Sequence, residues 1–474
     1  MDTSNQPVKD TEEYRDHIAT IDDRGKRSWI FPKQPKGRFY RWRTYVSWIL
    51  LAFFFVTPFI KVNGNPFLLL NIFDRKFVLF GILFPPQDFH LLVLSMLTGI
   101  VFIILFTVVY GRIFCGWICP QTIFLEMVFR KIEYFIEGDN KAQRKLAEGP
   151  WTTEKVIKRI VKHTVFILFS ILVINTFAAY LIGVDGVRKI ALEPISMNLG
   201  PFMGMVLFTA AYYFVFSWFR EQVCIVACPY GRLQGVMLDK NSIVVAYDNV
   251  RGEPRGKKAK VTDEGAAAPV LGDCIDCKLC VQVCPTGIDI RNGTQLECVN
   301  CTACIDACDE VMDKIDRPRG LIRYDSLKGI EEGGQKIFTT RVKAYTAVLS
   351  VLVILVSVLL MSRSDVELLI LRARGTLYNK VDDTHINNLY NYEIINKTTK
   401  SFPVDMKING DFGRIEYVGG NPPDTIREGV TKGTFFIIVE KEKVKDRKTD
   451  IEIEISSNGK LIEKAKSTFI GPYR

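Results

Sequence analysis

Apolar runs alternate along this chain with charged stretches, and past residue 361 the apolar period shortens to two. Five runs, about Tyr45–Ile60, Phe89–Tyr110, Thr164–Gly183, Phe202–Phe219 and Ala344–Met361, approach or reach the roughly 20 helical residues needed to span a bilayer core. Each predicts a transmembrane helix. Beyond Met361, "LYNYEIINKT", "GRIEYVG", "GTFFIIVEKEKV" and "TDIEIEISSNGKLIEKAKSTFIGP" alternate apolar with polar residues and break at Gly, Asn and Pro, which predicts strands. Asn458-Gly459 predicts a two-residue hairpin turn.

About 110 residues of such strands fit a small β-sandwich of immunoglobulin type. The stretch has no cysteine, so the buried disulfide of antibody domains is absent. Upstream, "RGEPRGKKAKVTDEGAAAPVLGD" is charged and lacks apolar periodicity, which reads as a flexible approach to the cysteine-rich segment after it.

Composition agrees with a membrane protein carrying soluble parts: 474 residues, 48% apolar and 12% aromatic. The N-terminus is expected to stay, because a long polar and basic stretch precedes the first run and no small-residue cleavage pattern follows it. Lys and Arg set the orientation. Lys26, Arg27, Lys33, Lys36, Arg38, Arg41 and Arg43 precede the first run, and the second and third are joined by a strongly basic segment from Arg112 to Lys162. The first-to-second loop holds only Lys61, Arg75 and Lys76, and the third-to-fourth only Arg188 and Lys189. The basic segments read as cytoplasmic and the others as external.

The expected architecture is a multi-domain integral membrane protein with a five-helix transmembrane bundle. Residues 1–44 form a basic cytoplasmic segment, and 45–220 a membrane domain with four transmembrane helices. Residues 221–340 form a cytoplasmic segment whose α+β ferredoxin-like insertion occupies about 270–325, 341–361 the fifth transmembrane helix, and 362–474 the external domain. The net charge of +10 mostly follows topology, so no nucleic-acid partner is expected.

All twelve cysteines lie between Cys115 and Cys308, none in a predicted external segment, which argues against a disulfide framework. Eight write C-x2-C-x2-C-x3-C twice, as "CIDCKLCVQVCP" and "CVNCTACIDACD". In that pattern three thiolates hold one cubane and the fourth reaches the cluster of the other run. Two [4Fe–4S] clusters are expected, one on Cys274, Cys277, Cys280 and Cys308, the other on Cys298, Cys301, Cys304 and Cys284. Zinc knuckles would use two spaced pairs of ligands instead. Asp309 stands where the second run would usually carry proline, which bears on the turn and not on ligation.

The other four cysteines write C-x3-C-P twice, in "FCGWICPQ" and "VCIVACPY", at the ends of the second and fourth runs. On a continuing helix the i, i+4 thiols share a face, and Pro120 and Pro229 mark a break or kink. One pair alone would read as small buried apolar residues. The repeat in register points to a redox or metal role, and thiolates favour Cu(I). His90 begins the second run, where copper, a quinol headgroup or no ligand at all would suit it, and its role stays open. His17, His163 and His385 carry no assigned role. Glu126 and Glu133 fit a helix face at the interface better than a proton relay.

"GRIFCGWICPQT", "CVQVCPTGIDIRNGTQLECVNC", "ACIDACDEVMDKI" and "RPRGLIRY" closely resemble the cytochrome c oxidase accessory protein family of CcoG/FixG type, over nearly the whole chain. The resemblance implies a bacterial inner-membrane protein with a double-cluster ferredoxin segment and a periplasmic immunoglobulin-like domain, acting in assembly of cbb3-type oxidases. It implies a cupric reductase with Cu(II) as substrate. Carried over by position, Cys115, Cys119, Cys224 and Cys228 are the catalytic, copper-linked thiols, and the eight ferredoxin cysteines are cluster ligands. The implied partners are the oxidase assembly machinery or a copper chaperone, and an electron donor that the sequence does not name, since no strand–GxGxxG–helix dinucleotide fingerprint occurs. C-x3-C-P also occurs in membrane ferredoxins that carry quinol electrons to periplasmic nitrate or nitrous-oxide reductases, so such a conduit is an alternative, as is a non-catalytic assembly scaffold.

Overall fold

The structure is a computed structural model and describes residues 20–21, 24–62, 64–73, 76–84, 88–256, 271–334, 337–373, 375, 377–398, 401–419, 425–426, 429–444 and 446–472. His17 and most of the predicted flexible approach, 257–270, lie outside the described residues. The chain divides into two compact units, Met1–Val56 with Met96–Ala178 and Lys189–Val353, and Thr57–Ser95 with Ala179–Arg188 and Ile354–Arg474.

Among the described residues, six helices are long and apolar enough to cross a membrane: Arg38–Phe59, Phe89–Tyr110, Ile113–Glu137, Thr153–Leu192, Leu199–Phe219 and Thr340–Met361. Five correspond to the expected spans. The additional one, Ile113–Glu137, is 50% buried inside the protein over its most apolar stretch, against 6% for Leu199–Phe219. Its charged residues explain the difference. Arg130 pairs with Glu126 at 2.7 Å and Glu221 at 3.1 Å, and Arg220 binds both oxygens of Glu133 at 2.9 and 2.8 Å. Lys162 meets Glu137 at 2.8 Å. Removing such groups from water is tolerated because each is paired. Glu126 and Glu133 therefore belong to an internal ion network, and the expected interfacial face is not what forms.

In the first unit an aromatic core joins these helices: Phe129 stacks on Phe216 at 4.9 Å and meets Phe166 edge-on at 4.7 Å. The cysteine-rich part is α+β. Strand Val244–Tyr247 pairs antiparallel with Ile322–Asp325, and helices Leu279–Gln282 and Ala303–Lys314 pack with them over Val245, Ile290, Ile305, Met312, Leu321 and Ile322. Asp306 ties this part to Arg38–Val56, its carboxylate accepting from the first-turn amides of Phe39 at 3.0 Å and Tyr40 at 2.7 Å.

In the second unit, strands Arg414–Tyr417, Gly429–Glu440, His385–Asn396 and Val366–Arg372 lie in that order in one antiparallel sheet, and Asp405–Ile408, Lys448–Ser457 and Lys460–Ile470 form another. The two sheets bury one core that includes Ile386, Tyr390, Ile394, Phe435, Ile453 and Phe469. The expected Asn458-Gly459 turn joins the last two strands with positive φ at both residues, 52° and 80°. Asp88 is buried in this unit against Arg363 at 2.7 Å and Lys397 at 2.8 Å.

Candidate functional site

The two four-cysteine runs fold alike. In each, the residues flanking the middle cysteine take left-handed backbone, Asp276 and Lys278 around Cys277, and Asn300 and Thr302 around Cys301. Such φ values are unusual for residues with a side chain. They coil each C-x2-C-x2-C so that its third cysteine, Cys280 or Cys304, sits on the helix that follows. Cys274, Cys277, Cys280 and Cys308 line one cavity. Cys280, Cys284, Cys298, Cys301 and Cys304 line the other. The first cavity thus draws three cysteines from one run and Cys308 from the other, and the second draws three from the second run with Cys280 and Cys284 from the first.

The surroundings of these thiols suit an iron–sulfur group. Burial pushes Cys280, Cys298 and Cys308 up to about 12 and Cys301 up to about 11. Neutral thiols result, and only a cationic ligand would draw off their protons. Among the described residues no three His, Cys, Asp or Glu side chains close round a single metal ion. A cubane takes one thiolate on each of four irons, so its ligands stand further apart than those of one ion.

The two C-x3-C-P elements also fold alike. In each, the amide of the second cysteine bonds the carbonyl five residues back, Cys119 to Phe114 at 2.9 Å and Cys228 to Val223 at 2.7 Å. Cys119 and Cys228 are then extended N-caps, with Pro120 and Pro229 opening the next helix. The helix does not continue through either pair, so the shared face expected from i, i+4 spacing is not set by a helix. Burial, then Cys119, Cys115 and Cys228, push the Cys224 thiol up to about 12, but among the described residues no three of these thiols close round a single metal ion.

Several residues that the sequence reading did not single out hold this centre. Cys115 donates to Gln234 Oε1 at 2.8 Å, and the fully buried Gln234 donates in turn to Thr107 at 3.0 Å. A Cβ on Gly116 would lie 2.5 Å from the carbonyl oxygen of Val299 and 2.8 Å from that of Asn300. The first thiol turn therefore rests on the backbone between Cys298 and Cys301. Arg43 fixes it from above, its Nε donating to Gly116 O at 2.7 Å. Trp117 donates to the Tyr324 hydroxyl at 3.2 Å, which donates to Asn300 O at 3.2 Å. No local spacing announces these contacts, but the small Gly116 beside the bulky Trp117 is a signal of close backbone approach. His385 pairs with Asp382 at 3.0 Å.

Membrane-length helices joined to two four-cysteine cavities define a membrane-bound iron–sulfur protein. Family models agree: a 4Fe-4S binding domain matches residues 92–137, a 4Fe-4S dicluster domain 219–327, and the IG-like fold at the C-terminal of FixG 356–472. RdxB of Cereibacter sphaeroides is 33% identical over 432 residues, covering 87% of this chain and 89% of RdxB. RdxA of the same organism is 33% identical over 416 residues, 83% of this chain and 85% of RdxA. FixG of Rhizobium meliloti is 37% identical over 309 residues, 64% of this chain and 58% of FixG. The chain belongs to this FixG/Rdx family, the CcoG/FixG type. It is a multi-pass membrane protein with an IG-like C-terminal domain, and its class of activity is electron transfer.

Proposed function

We propose that the chain reduces Cu(II) to Cu(I) for the copper site of a cbb3-type cytochrome c oxidase. The observation that carries this reading is the seat of Gly116 on the Val299–Asn300 backbone, which sets the Cys115–Cys119 turn against a cavity lined by Cys280, Cys284, Cys298, Cys301 and Cys304. Cys115, Cys119, Cys224 and Cys228 are the catalytic thiols and hold the copper, and soft ligands favour the reduced ion. Each Cu(II) takes one electron, which an external donor would supply. Cys274, Cys277, Cys280 and Cys308 would hold one [4Fe–4S] cluster, and Cys284, Cys298, Cys301 and Cys304 the other. When bound, these supply one-electron transfer at potentials set by burial and hydrogen bonding. Gln234 orients Cys115, while Arg43, Trp117 and Tyr324 keep the thiol turn against the second cavity. The partners are the oxidase assembly machinery or a copper chaperone.

Five crossings of the bacterial inner membrane follow from the same reading, with the domain limits given above, the cysteine-rich segment cytoplasmic and the tail periplasmic. Two observations support it. Ile113–Glu137 meets the cysteine-rich segment through Trp117 on Tyr324 and Arg130 on Pro285 O at 3.2 Å, which favours a helix that stays on that segment's side. Asp88, ahead of the second span, pairs with Arg363 and Lys397 after the last, which requires one side for both.

The test is to reduce the anaerobic protein with dithionite, desalt it, and add Cu(II) with a Cu(I) chelator. Cluster absorbance should recover while Cu(I) accumulates, one ion per electron stored. Reoxidation by dyes but not by Cu(II) would favour the conduit, and no turnover with any acceptor would favour the scaffold.

A further inference from the structure

Where helices Thr153–Leu192 and Leu199–Phe219 end on the side of the basic segments lies a cavity of about 660 Å³. Trp29, Tyr213, Phe214 and Trp218 wall it with aromatic faces, and Glu133, Glu137, Lys162, His163 and Arg220 line its polar end. Tyr213 also lines a second, apolar groove of about 640 Å³ between Ile167 and Ile171 of one helix and Val206 and Ala210 of the other. His163, Ile167 and Ile171 are spaced i, i+4, i+8, so the polar cavity and the groove share one helix face. Leu199–Phe219 is almost wholly exposed over its apolar stretch, so this path opens to lipid. A planar polar head with a long apolar tail fits the pair of spaces.

We propose that this is the electron-donor site and that the donor is a membrane quinol. The proposal rests on the reading of the eight cysteines as cluster ligands. A phospholipid head is the poorer occupant, because each cation of the cavity is already ion-paired: Arg220 with Glu133 at 2.8 Å, Lys162 with Glu137 at 2.8 Å, and Arg159 with Glu137 at 3.6 Å. A quinol ring instead finds aromatic walls and a polarised imidazole, His163 Nδ1 lying 2.8 Å from the Tyr213 hydroxyl. The cavity is also wired toward the cysteines. Arg220 leads to Glu221 at 3.7 Å, Glu221 to Arg130 at 3.1 Å, and Arg130 to the carbonyl of Pro285, which follows Cys284, at 3.2 Å.

The quinol loses two electrons and two protons and leaves as the quinone. Its two O–H bonds break, one proton passing to His163 and the other to the Glu137 carboxylate. Two [4Fe–4S] clusters, when held by the eight cysteines, would take one electron each, so a two-electron donor matches two one-electron acceptors and two Cu(II) ions would be reduced per quinol.

The experiment uses full-length holoprotein in lipid nanodiscs under anaerobic conditions, with a short-tailed menaquinol and the tailless menadiol as donors. Cluster bleaching gives the rate, and quenching of tryptophan fluorescence by oxidised short-tailed menaquinone gives binding without turnover. His163→Ala and Tyr213→Phe should slow bleaching at least tenfold and weaken quinone binding about tenfold. Ala210→Trp should slow the tailed quinol and spare menadiol. Dithionite-driven Cu(II) reduction should be unchanged in all three, which also shows that they fold. Equal rates and binding in parent and variants, or no bleaching of the parent by either quinol, would overturn the proposal. So would loss of bound phospholipid from the Ala210→Trp protein with no change in quinol rate. If the dithionite-reduced protein fails to reduce Cu(II) while quinol still bleaches its clusters, the copper reading falls and the donor site stands.

Discussion

Cys115 and Gln234, 119 residues apart, share a buried hydrogen bond of 2.8 Å that joins the first thiol turn to the helix opened by the second. Gln234 has no exposed surface, and its amide also donates to Thr107. Gln234→Leu removes both bonds while keeping bulk. A buried group left unsatisfied costs about 1–3 kcal/mol. The variant should keep its full iron content and reduce Cu(II) several-fold more slowly, since Cys115 is then free to rotate off the centre. Iron analysis beside a Cu(I)-chelator assay checks both halves, and an unchanged rate would remove Gln234 from the site.

Gly116→Ala should separate the thiol turn from the second cavity. Its Cβ would sit 2.5 Å from Val299 O, a distance no real contact tolerates, and the obstacle is backbone. Overpacking of this kind costs about 1–3 kcal/mol. The expected result is intact iron–sulfur absorbance after anaerobic purification with markedly slower reoxidation by Cu(II). Parental reoxidation kinetics would show that electrons do not cross at Gly116.

Because Cys277 lines only one cavity and Cys301 only the other, the ligand assignment is separable. Cys277→Ala should cost one cluster and Cys301→Ala the other, each lowering iron from about eight to about four per chain. Electron paramagnetic resonance of the reduced variants should lose different signals. Retention of both signals in either variant would refute the assignment.

Much of this was readable in the sequence because it is local. Cysteine spacing set the two cavities, apolar run length set the spans, and Asn458-Gly459 set a turn, each within a few residues. The rest depends on residues far apart. Gly116 meets Asn300 only once the chain has folded, and nothing near either position announces the other. Ile113–Glu137 was hidden by its own charges: Glu126 and Glu133 read as an interfacial helix face and Arg130 as part of a basic segment, whereas Arg220, Glu221 and Lys162 pair with Glu133, Arg130 and Glu137 inside the protein. Helix Thr153–Leu192 begins well before the expected Thr164, because its first three turns are polar and Thr152 caps them by accepting from Lys155 N at 3.3 Å. His163 looked idle in a basic stretch until Tyr213 appeared beside it.

Asp88 holds Lys397 at 2.8 Å and Arg363 at 2.7 Å, and both Asp88 and Lys397 are nearly inaccessible. Removing one partner of a buried pair costs about 3–5 kcal/mol, and Glu367, 3.2 Å from Lys397, should hold the loss to the lower end. Asp88→Asn should therefore lower the unfolding temperature of the tail and open it to protease, with iron content untouched. Reporter fusions after Asp88 and after Lys380 should both read periplasmic. A cytoplasmic reading at Lys380 alone would break the pairing and, with it, the count of five crossings.

Replacing Cys115 and Cys119 together by Ser tests whether the membrane thiols select copper. None of the eight cluster cysteines is altered, and Gly116 and Pro120 still shape the turn. Serine oxygen is a poor ligand for Cu(I), so the reduced product is held less well and its formation is less favoured. For this one-electron couple, each tenfold loss of preference for Cu(I) over Cu(II) lowers the potential by about 59 mV. Cu(I) formation should fall at least tenfold while reduction of an artificial dye by the same dithionite-reduced protein stays at the parental rate. Equal losses with dye and copper would mean that the thiols carry electrons without choosing the acceptor, and no loss with either would leave them as packing residues of the turn.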